Sequence, residues 1–421
     1  MATDDDVPEG KNMEARALVV GGGPAGLTTA LALSAAGASV TLAAPPTAAA
    51  SADGVRDPRT TALFGDSITL LENLGIWPRI SSRVAPLVGL RLVDDTGGLF
   101  RAPEILFEAG EIGRETFGYN IENDVLNAAL SAAIEETQGI DVIAEMIDGL
   151  DLAPDRVAAR SAASTVWTGA LVAAADGRNS LCRREAGISA TPHPYAQHAI
   201  VCKFAHSRGH ADVSTELHRR SGPLTTVPLP GQSSSLVWVE TPDEAARLKA
   251  LPDAAFAAEL SSHLDGLLGR IEALTPRFTY PLSRMTADPL AQRRVALVGE
   301  AAHVIPPIGA QGLNLGFRDA AWLADAVETA IRAGRDLGDP ITLAAYTASR
   351  KPDIRSRTAI IDILNRSLLA DAAPFDLARA AGLGALQAIG PLRRLAMREG
   401  MGPNGPLPRL MRSSAIEKMA N

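Results

Sequence analysis

Residues 17–43 read ALVVGGGPAGLTTALALSAAGASVTLA, and this stretch decides the fold class. Its first four residues favour a β-strand, the middle favours a helix, and Ser39–Ala43 predicts a second strand. Pro24 suits the first helical turn, where its missing N–H costs nothing. Between strand and helix, a GxGxxG pattern is formed by Gly21, Gly23 and Gly26. In this context the pattern predicts a dinucleotide-binding unit with a pyrophosphate on the helix N-terminus.

One part of the usual dinucleotide-binding pattern is absent. An Asp or Glu is expected about 20 residues further on, where it binds the ribose 2′-hydroxyl. This chain has Leu42-Ala43-Ala44-Pro45 at that place, and no Arg replaces the acid. We therefore expect other groups to hold the adenosine ribose, and a 2′-phosphate is not favoured.

The composition excludes one class of partner and indicates a compartment. The 421-residue chain carries a formal net charge of −8, which argues against nucleic acid as a partner because phosphate contacts require clustered Lys and Arg. The two cysteines, Cys182 and Cys202, lack CxxC or metal-site spacing and favour a reducing compartment, most simply the cytoplasm. Residues 1–14 are polar and predict a disordered tail rather than a signal peptide.

Two further apolar runs are predicted to be strands that end in turns suited to ligands. One run leads into Asp176-Gly177 and the other, residues 295–298, leads into Gly299-Glu300. Pro306-Pro307 and a helix start near Gly312 follow the second run. A carboxylate at a strand end can accept hydrogen bonds from a polyol chain, and a helix start offers unpaired N–H groups and partial positive charge. Together these features indicate a flavin site.

Three motifs now stand in order along the chain: GGGPAG at 21–26, DGRNSLCR at 176–183 and GEAAHVIPP at 299–307. Their order and spacing resemble the FAD-dependent aromatic hydroxylases of the p-hydroxybenzoate hydroxylase type. More segments are similar to the polyprenylphenol hydroxylases of ubiquinone biosynthesis, namely FGYNIEN at 117–123, YAQHAIV at 195–201, SGPLTTVPLP at 221–230, SSLVW at 234–238 and GAQGLNLGFRD at 309–319. The resemblance extends from residue 16 to about residue 350.

The resemblance implies a flavin-borne reaction. NAD(P)H would reduce FAD without a separate nicotinamide domain, and reduced flavin would take up O2 as a C4a-hydroperoxide. That species would hydroxylate the electron-rich ring of a polyprenylated phenol. Because the cofactor carries the chemistry, neither a Ser-His-Asp triad nor a metal is expected.

The resemblance also assigns residues to the cofactor, position by position. Gly21, Gly23 and Gly26 would hold the FAD pyrophosphate. Asp176 and Gly177 would lie in the motif that touches the flavin and assists NAD(P)H. Glu300 stands where the family usually has Asp on the ribityl chain.

The remaining assignments concern the flavin ring. Pro306 and Pro307 would line the isoalloxazine, and Arg59 and Gln311 would lie near it. The backbone donors to the pyrimidine edge would be Gly312, Leu313 and Asn314. No residue is expected to act by itself as the catalyst; the candidates beside the flavin are Arg59, Gln311 and Pro307.

Three departures from the family pattern bear on FAD affinity. Glu300 is one methylene longer than the usual Asp. Ala310 stands where many relatives have Gly, and its Cβ is expected to crowd a loop beside the flavin. The ribose-binding acid is missing.

These expectations describe an α/β chain with a Rossmann-like FAD-binding domain, an inserted antiparallel-sheet substrate domain and C-terminal helices. The FAD-binding domain is predicted to be discontinuous, comprising residues 15–85, 108–190 and 280–345. Short alternating β-rich runs predict the substrate domain at 86–107 and 191–279. Residues 346–421 are expected to be mostly helical.

Arginines are interspersed among Leu and Met near the C-terminus, and two interpretations stay open. They are Arg393, Arg394, Arg398, Arg409 and Arg412. Either amphipathic helices pack on the domain with solvated arginines, or the region attaches to anionic lipid or to a protein complex. A polyprenyl substrate lives in the membrane, which suggests a peripheral position at the inner membrane.

Several other residues have both a structural and a functional interpretation. His206 and His210 are four apart but lack a third ligand, so no metal site is expected. His303 either acts as a base or packs behind the flavin. Tyr195, His198 and Glu216 either contact the phenol or serve only the predicted sheet.

Two other functions remain open from the sequence. The chain could hydroxylate a soluble aromatic or polyketide substrate instead of a prenylated phenol. It could also be a non-catalytic scaffold of the ubiquinone biosynthetic complex, which the three departures keep possible.

Overall fold

The structure is a computed structural model that describes residues 16–45, 57–97, 102–369, 373–402 and 405–413. The predicted N-terminal tail therefore lies outside the described residues. In chain order the strands are β1 (Arg16–Val20), β2 (Ser39–Ala43), β3 (Thr60–Phe64), β4 (Ala85–Leu87), β5 (Gly89–Asp94), β6 (Ile105–Glu108), β7 (Gly118–Glu122), β8 (Ile140–Ile143), β9 (Ile147–Leu152), β10 (Val157–Ser161), β11 (Val166–Gly169), β12 (Leu171–Ala174), β13 (Ser189–Ala190), β14 (His193–His206), β15 (Val213–His218), β16 (Leu224–Leu229), β17 (Ser233–Glu240), β18 (Ile271–Glu272), β19 (Phe278–Asp288), β20 (Ala291–Gln292), β21 (Val295–Leu297) and β22 (His303–Val304).

The helices alternate with these strands in the first half and dominate the C-terminal part. They are α1 (Pro24–Ala35), α2 (Gly65–Asn73), α3 (Trp77–Ile80), α4 (Asn123–Glu136), α5 (Leu181–Glu185), α6 (Pro242–Ala250), α7 (Asp253–Leu264), α8 (Gln311–Arg332), α9 (Pro340–Leu369), α10 (Ala373–Ala388) and α11 (Gly390–Met401). Among the described residues, no helix combines the length and the apolar character needed to cross a bilayer.

A first sheet has the order β20-β21-β12-β1-β2-β8, and its pairings are parallel except for the edge strand β20. Its central strands are almost continuously apolar because both faces are covered. Helices α1 and α8 pack against each other beside this sheet and share its core. This arrangement is the predicted Rossmann-like domain, and it confirms the α/β fold class.

A second sheet has the order β13-β19-β14-β17-β16-β15-β5-β6. Strands from the segments 86–107 and 191–279 therefore lie in one sheet. The pairing of β5 with β15 is parallel, however, with Gly89 opposite Val213 and Asp94 opposite His218. Strand β19 runs past the predicted boundary at residue 279, and β22 pairs with it at Met285 and Thr286. The second sheet is thus joined to the motif loop that contains His303.

Helix α9 connects the two sheets. The Tyr346 hydroxyl donates to the Leu297 carbonyl of the first sheet at 2.6 Å. Further along α9, the Asn365 amide donates to the Gln197 side chain of the second sheet at 2.9 Å. A small sheet of β3, β7 and β4 lies between the layers, where the Asn120 amide donates to the Pro228 carbonyl at 2.8 Å.

The second sheet has its own apolar core beneath α6 and α7, centred on Trp238, Phe204 and Phe256. The sequence pattern suggests a longer α7, reaching residue 271. The helix ends at Leu264 because Asp265 adopts a left-handed conformation with φ 46°. Ile271 then begins β18.

Candidate cofactor and substrate site

The three motif loops follow three neighbouring strands at the same edge of the first sheet. Val20 of β1 lies opposite Ala174 of β12, which lies opposite Leu297 of β21. The glycine-rich turn, the Asp176 turn and the Gly299 turn begin directly after these residues. Parallel strands place all three loops at the carboxyl edge, where ligands bind in this class of fold.

The glycines of the first loop have different structural roles. A Cβ at Gly21 would lie 2.2 Å from the Ala175 carbonyl oxygen, and a Cβ at Gly26 would lie 1.9 Å from the Gly21 oxygen. The close packing of this loop therefore requires glycine at both positions. Gly23 is exposed, and no atom of the described residues lies within 4 Å of an added Cβ. The space beside Gly23 is open to a ligand.

Helix α1 starts at this open space. Its N-cap residue is Gly23, and among the described residues no side chain caps the helix. Its first N–H groups and the partial positive charge of the helix start therefore face the opening. This is an environment for an anion such as a pyrophosphate, and the loop fits the predicted FAD.

Helix α8 provides a second uncapped start. Gly312 is exposed with open space at its Cβ position, and no described side chain caps the helix. The N-cap residue Ala310 has φ 51°, in the left-handed region that favours glycine. Backbone strain at Ala310 explains why a glycine would suit this position.

The Asn314 side chain is used entirely inside the protein. Its Oδ1 accepts from the Phe64 N–H at 3.1 Å and the Ser67 hydroxyl at 2.7 Å. Its Nδ2 donates to the carbonyls of Ala62 and Ala310, both at 2.8 Å. Asn314 thus fixes α8 against β3 and α2, and a role at the flavin would fall to its backbone.

Gln311 lies where α8 meets α11. Its amide nitrogen donates to the Gly309 carbonyl at 3.1 Å and to the Gly400 carbonyl at 2.8 Å. The Gln311 Oε1 atom is buried without a hydrogen-bond partner among the residues that the structure describes. A buried acceptor of this kind normally has a partner, so it is consistent with a donor supplied by a ligand.

Glu300 and the two prolines extend from the third loop. Glu300 stands in a 3₁₀ turn after β21, with its carboxylate exposed and 3.5 Å from the Arg178 guanidinium of the second motif. A carboxylate so placed can reach a polyol. Pro306 is buried, whereas Pro307 is exposed, so Pro307 is the proline that a flavin ring could contact.

A buried carboxylate holds the turn that presents Glu300. Asp319 Oδ2 accepts from the Gly299 N–H at 2.9 Å and from His303 Nε2 at 2.7 Å. Asp319 Oδ1 accepts from Arg350 at 2.7 Å. Burial raises the pKa of Asp319, but His303 and Arg350 outweigh it and hold the pKa at about 2. His303 therefore packs behind the site and binds Asp319.

The buried charges continue into α9, and the sequence interpretation missed them. Asp353 accepts from Arg350 and from Arg318, both at 2.8 Å, and Arg357 lies 3.6 Å away. All four side chains are nearly inaccessible. The spacing of Arg350, Asp353 and Arg357 by three and four residues is the signal that could have shown them on one helical face.

Asp176 has a local partner set. It accepts from the Ser180 hydroxyl at 2.5 Å and from the Cys182 N–H at 3.0 Å at the start of α5. This leaves the backbone of Gly177, at φ 81°, as the part of the motif that faces open space. Arg183 donates to the Ala301 carbonyl at 2.8 Å and ties the second motif to the third.

Arg59 lies between the two layers. It forms a two-pronged ion pair with Asp57, at 2.6–2.8 Å, and its guanidinium lies over the Tyr280 ring at 5.6 Å. The hydrogen bond with Asp57 raises the pKa of Arg59 despite the opposing effect of burial. Arg59 thus connects the segment before β3 with β19 of the second sheet.

The other candidate residues have partners within the fold. His206 is bound on both ring nitrogens, by the Arg208 carbonyl and the Ser234 hydroxyl. Tyr195 donates to Asp362 at 2.5 Å, and Glu216 bonds His218 at 2.8 Å. Within the described ranges, no group of three His, Cys, Asp or Glu side chains could hold a metal ion.

A cavity of about 310 Å³ lies beside the second sheet. It is bounded by β13, β14, β19 and α9, and its lining includes His193, Arg284 and Thr358. None of its lining residues belongs to the motif loops, so the glycine and helix-start geometry defines the candidate site.

Residues 14–358 match the family model described as FAD binding domain. The ubiquinone hydroxylase UbiL of Rhodospirillum rubrum is 38% identical over 94% of this chain and 92% of its own length. The 3-demethoxyubiquinol 3-hydroxylase of Escherichia coli is 30% identical over 93% of this chain and 99% of its own.

Solved structures agree on the fold. The p-nitrophenol 4-monooxygenase PnpA from Pseudomonas putida superposes with a TM-score of 0.72 at 20% identity, covering 93% of this chain and 98% of its own. HpxO of Klebsiella pneumoniae, complexed with FAD and uric acid, gives 0.72 at 17% identity, covering 94% of this chain and 100% of its own.

Gly23→Val should abolish flavin retention without unfolding the protein. The added side chain fills only open space, so the fold tolerates it while the anion approach is blocked. Flavin absorbance per mole of purified protein and thermal unfolding of the apoprotein measure the two effects. Gly209→Val, at another exposed glycine with open space, should keep its flavin. Normal flavin content in folded Gly23→Val would refute the placement.

Asp319→Asn should lower the free energy of unfolding by about 3–5 kcal/mol, because it removes one of the two carboxylates that neutralise the buried Arg350. In the wild type, ionised Asp319 contributes stability that is fully present above the pKa of an unfolded Asp. This stability is lost as pH falls toward 2, because the pKa of Asp319 is depressed in the folded protein. Wild-type stability should therefore fall by about 2 kcal/mol more than the variant's between about pH 4 and 2.

Urea unfolding at a series of pH values measures this difference. Asp148→Asn, at an exposed position of β9, is the matched control and should leave stability and its pH dependence unchanged. If the Asp319→Asn variant were as stable as the wild type, the Gly299 turn would have to be held by contacts other than those of Asp319.

Proposed function

Because the chain belongs to the FAD-binding-domain family that includes the ubiquinone hydroxylases, we propose that it hydroxylates the aromatic ring of a polyprenylphenol intermediate in ubiquinone biosynthesis. NAD(P)H supplies the electrons and O2 the oxygen atom. The observation that carries this proposal is the near full-length match to a ubiquinone hydroxylase in a chain whose three motif loops meet at one sheet edge.

FAD, when bound, accepts two electrons from NAD(P)H and activates O2 for transfer of one oxygen atom to an electron-rich ring. The protein's part is to bind, orient and shield. The open start of α1 at Gly23 takes the pyrophosphate, with Gly21 and Gly26 keeping the loop close to the sheet. Glu300 accepts hydrogen bonds from the ribityl hydroxyls.

The start of α8 serves the other end of the cofactor. The backbone N–H groups of Gly312, Leu313 and Asn314 would hold the pyrimidine edge of the ring and would stabilise negative charge there. Pro307 offers an apolar surface to the ring, and Gln311 offers its unpartnered carbonyl oxygen. Gly177 completes the edge from the second motif.

The second sheet forms the wall above these loops. Arg59 joins the two layers through its ion pair with Asp57 and its contact with Tyr280. The packing of β3 and β7 between the layers keeps water from the ring face. The substrate is a phenol, and its ring enters between this wall and the flavin.

The prenyl chain sets the location of the enzyme in this proposal. A polyprenylphenol resides in the bilayer, so the enzyme works as a peripheral protein on the cytoplasmic side of the inner membrane. Association with other enzymes of the pathway would serve the same purpose. Membrane attachment is supported by the distribution of apolar and basic residues on the C-terminal helices.

The test is mass spectrometry of quinone-pathway lipids from an aerobically grown deletion strain. Ubiquinone should disappear while one polyprenylphenol accumulates, and its missing hydroxyl identifies the ring carbon. Wild-type protein should restore ubiquinone, whereas Gly23→Val should not. An unchanged pool, in a strain without another such hydroxylase, would reject the pathway. Full rescue by a flavin-free variant would favour a scaffold.

Glu300→Gln should weaken FAD binding by about 1–3 kcal/mol, the range for losing a charge-assisted acceptor. Titration of apoprotein with FAD, followed by flavin fluorescence, gives the Kd. Glu300→Asp should retain binding because it keeps the carboxylate. Glu136→Gln removes an exposed carboxylate paired with Arg79 and should leave the Kd unchanged. An unaltered Kd in Glu300→Gln would mean that Glu300 does not contact the ribityl chain.

A further inference from the structure

Exposed apolar side chains are concentrated on the C-terminal helices. Of the twelve large apolar side chains that are exposed among the described residues, eight fall between residues 360 and 395, on the second half of α9, on α10, on α11 and at Ile389, which precedes α11. These eight form what we call the C-terminal apolar face, and they are Ile360, Ile363, Leu364, Leu369, Leu377, Ile389, Leu392 and Leu395. Such a concentration in one stretch of the chain is typical of an interaction surface.

Helix α11 is apolar on two opposite sides. Met397 faces inward and joins a buried cluster with Phe107 and Phe117 of the second-sheet side. At about 100° per residue, Leu392 and Leu395 lie on the side opposite Met397. They are 40% and 51% exposed. The inner side therefore holds the helix in place while the outer side is left for a partner.

One flank of the helix, between the inner side and the leucines, is basic. Arg394 and Arg398 are exposed and lie one turn apart next to the leucines. Arg393 is different, because it forms an ion pair with Glu111 at 2.5–2.6 Å and stays with the fold. The same is true of Arg409, which binds Glu328 at 2.7 Å. Only Glu399 is acidic in the α11 sequence.

The inner end of α11 reaches the candidate flavin site. The Gly400 carbonyl accepts from the Gln311 amide at the start of α8, at 2.8 Å. The Glu399 carbonyl accepts from Arg357 of the buried charge network. A surface that binds α11 is therefore one helix away from the place where a phenol would meet the flavin.

We propose that the C-terminal apolar face docks on an anionic membrane surface, with Leu392 and Leu395 in the acyl boundary and Arg394 and Arg398 at lipid phosphates. This inference rests on the proposed function for the claim that the substrate is itself a membrane lipid. Docking through α11 places the substrate entrance against the bilayer, so that the prenyl chain stays in lipid while the ring enters the protein.

The chemistry of the face favours lipid over a protein partner. Its exposed side chains are aliphatic, all Leu or Ile, whereas protein interfaces are enriched in Tyr, Trp, Phe and Met. Exposed arginines beside aliphatic residues are the pattern of helices that lie in the interface of anionic membranes.

Vesicle co-sedimentation of the full-length FAD-loaded protein tests the inference. The vesicles contain phosphatidylcholine alone or phosphatidylcholine mixed with phosphatidylglycerol. Wild type should bind the anionic vesicles more tightly. Replacing Arg394 and Arg398 together by Gln should weaken that binding by roughly fivefold for each arginine. Replacing Leu392 and Leu395 together by Gln should weaken it on both vesicle types, by at least about tenfold on the anionic ones.

The matched control replaces Val142 and Met146 by Gln, since both are exposed apolar residues distant in sequence from these helices. It should bind like wild type. Equal binding by the leucine variant, or no vesicle binding by wild type, would overturn the inference. Dimerisation that only the leucine variant abolishes would instead make the face a contact between copies and would also overturn it.

Activity separates this inference from the proposed function. With a short-chain phenol in detergent, the leucine and arginine variants should turn over like wild type. With a long-chain substrate embedded in vesicles, they should be slower. If no phenol is hydroxylated but vesicle binding follows the predicted pattern, the proposed function fails and the docking surface stands.

Discussion

The carboxylate of Asp319 is a constraint on which much of this structure depends. It lies fully buried in α8 and accepts hydrogen bonds from the Gly299 backbone, from His303 and from Arg350. Gly299 follows the first sheet, His303 pairs with the second sheet, and Arg350 belongs to the helix that spans both. A charge so deeply buried is tolerated only because it is paired and hydrogen-bonded. One side chain thereby sets the position of the loop that presents Glu300.

Close packing near this carboxylate brings two helix starts to the same sheet edge. A Cβ at Gly316 would lie 3.3 Å from the Gly299 Cα and 3.5 Å from the Ala25 Cβ. Helices α1 and α8 can therefore approach each other with both N-termini facing the open loops. A cofactor that carries a pyrophosphate and a separate ring that gains negative charge on reduction is complementary to this pair of partial positive charges. The rigid scaffold holds the helix starts in place before any ligand arrives, which is the arrangement that electrostatic stabilisation needs.

The C-terminal helices are more than a cover for the domains. Helix α9 brings Arg350, Asp353 and Arg357 into the interior, and Arg357 then holds the last turn of α11. That turn also bonds Gln311 at the start of α8. The outer side of α11 and the cofactor edge are thus joined by a short series of hydrogen bonds. The proposed docking surface and the candidate cofactor site are therefore connected through α11.

Local sequence determined the parts of this protein whose chemistry is local. The strand–glycine–helix unit at 17–43, the strand-end turns at Asp176 and Gly299, and the helix start near Gly312 are each set by neighbouring residues. Their order on a parallel sheet follows from chain connectivity, and so the α/β fold and the meeting of three loops were predictable. The same pattern of glycines recurs at residues 400–405, where it begins inside the last turn of α11 instead of after a strand, which shows that context carries the signal. The tertiary structure alone decided what joins distant segments. It paired Asp319 with Arg350, placed Arg59 on Tyr280, used the Asp176 carboxylate to cap α5 and aligned β5 parallel to β15. Those contacts depend on packing between elements far apart in the chain, and neither periodicity nor spacing encodes which partner a buried charge will find.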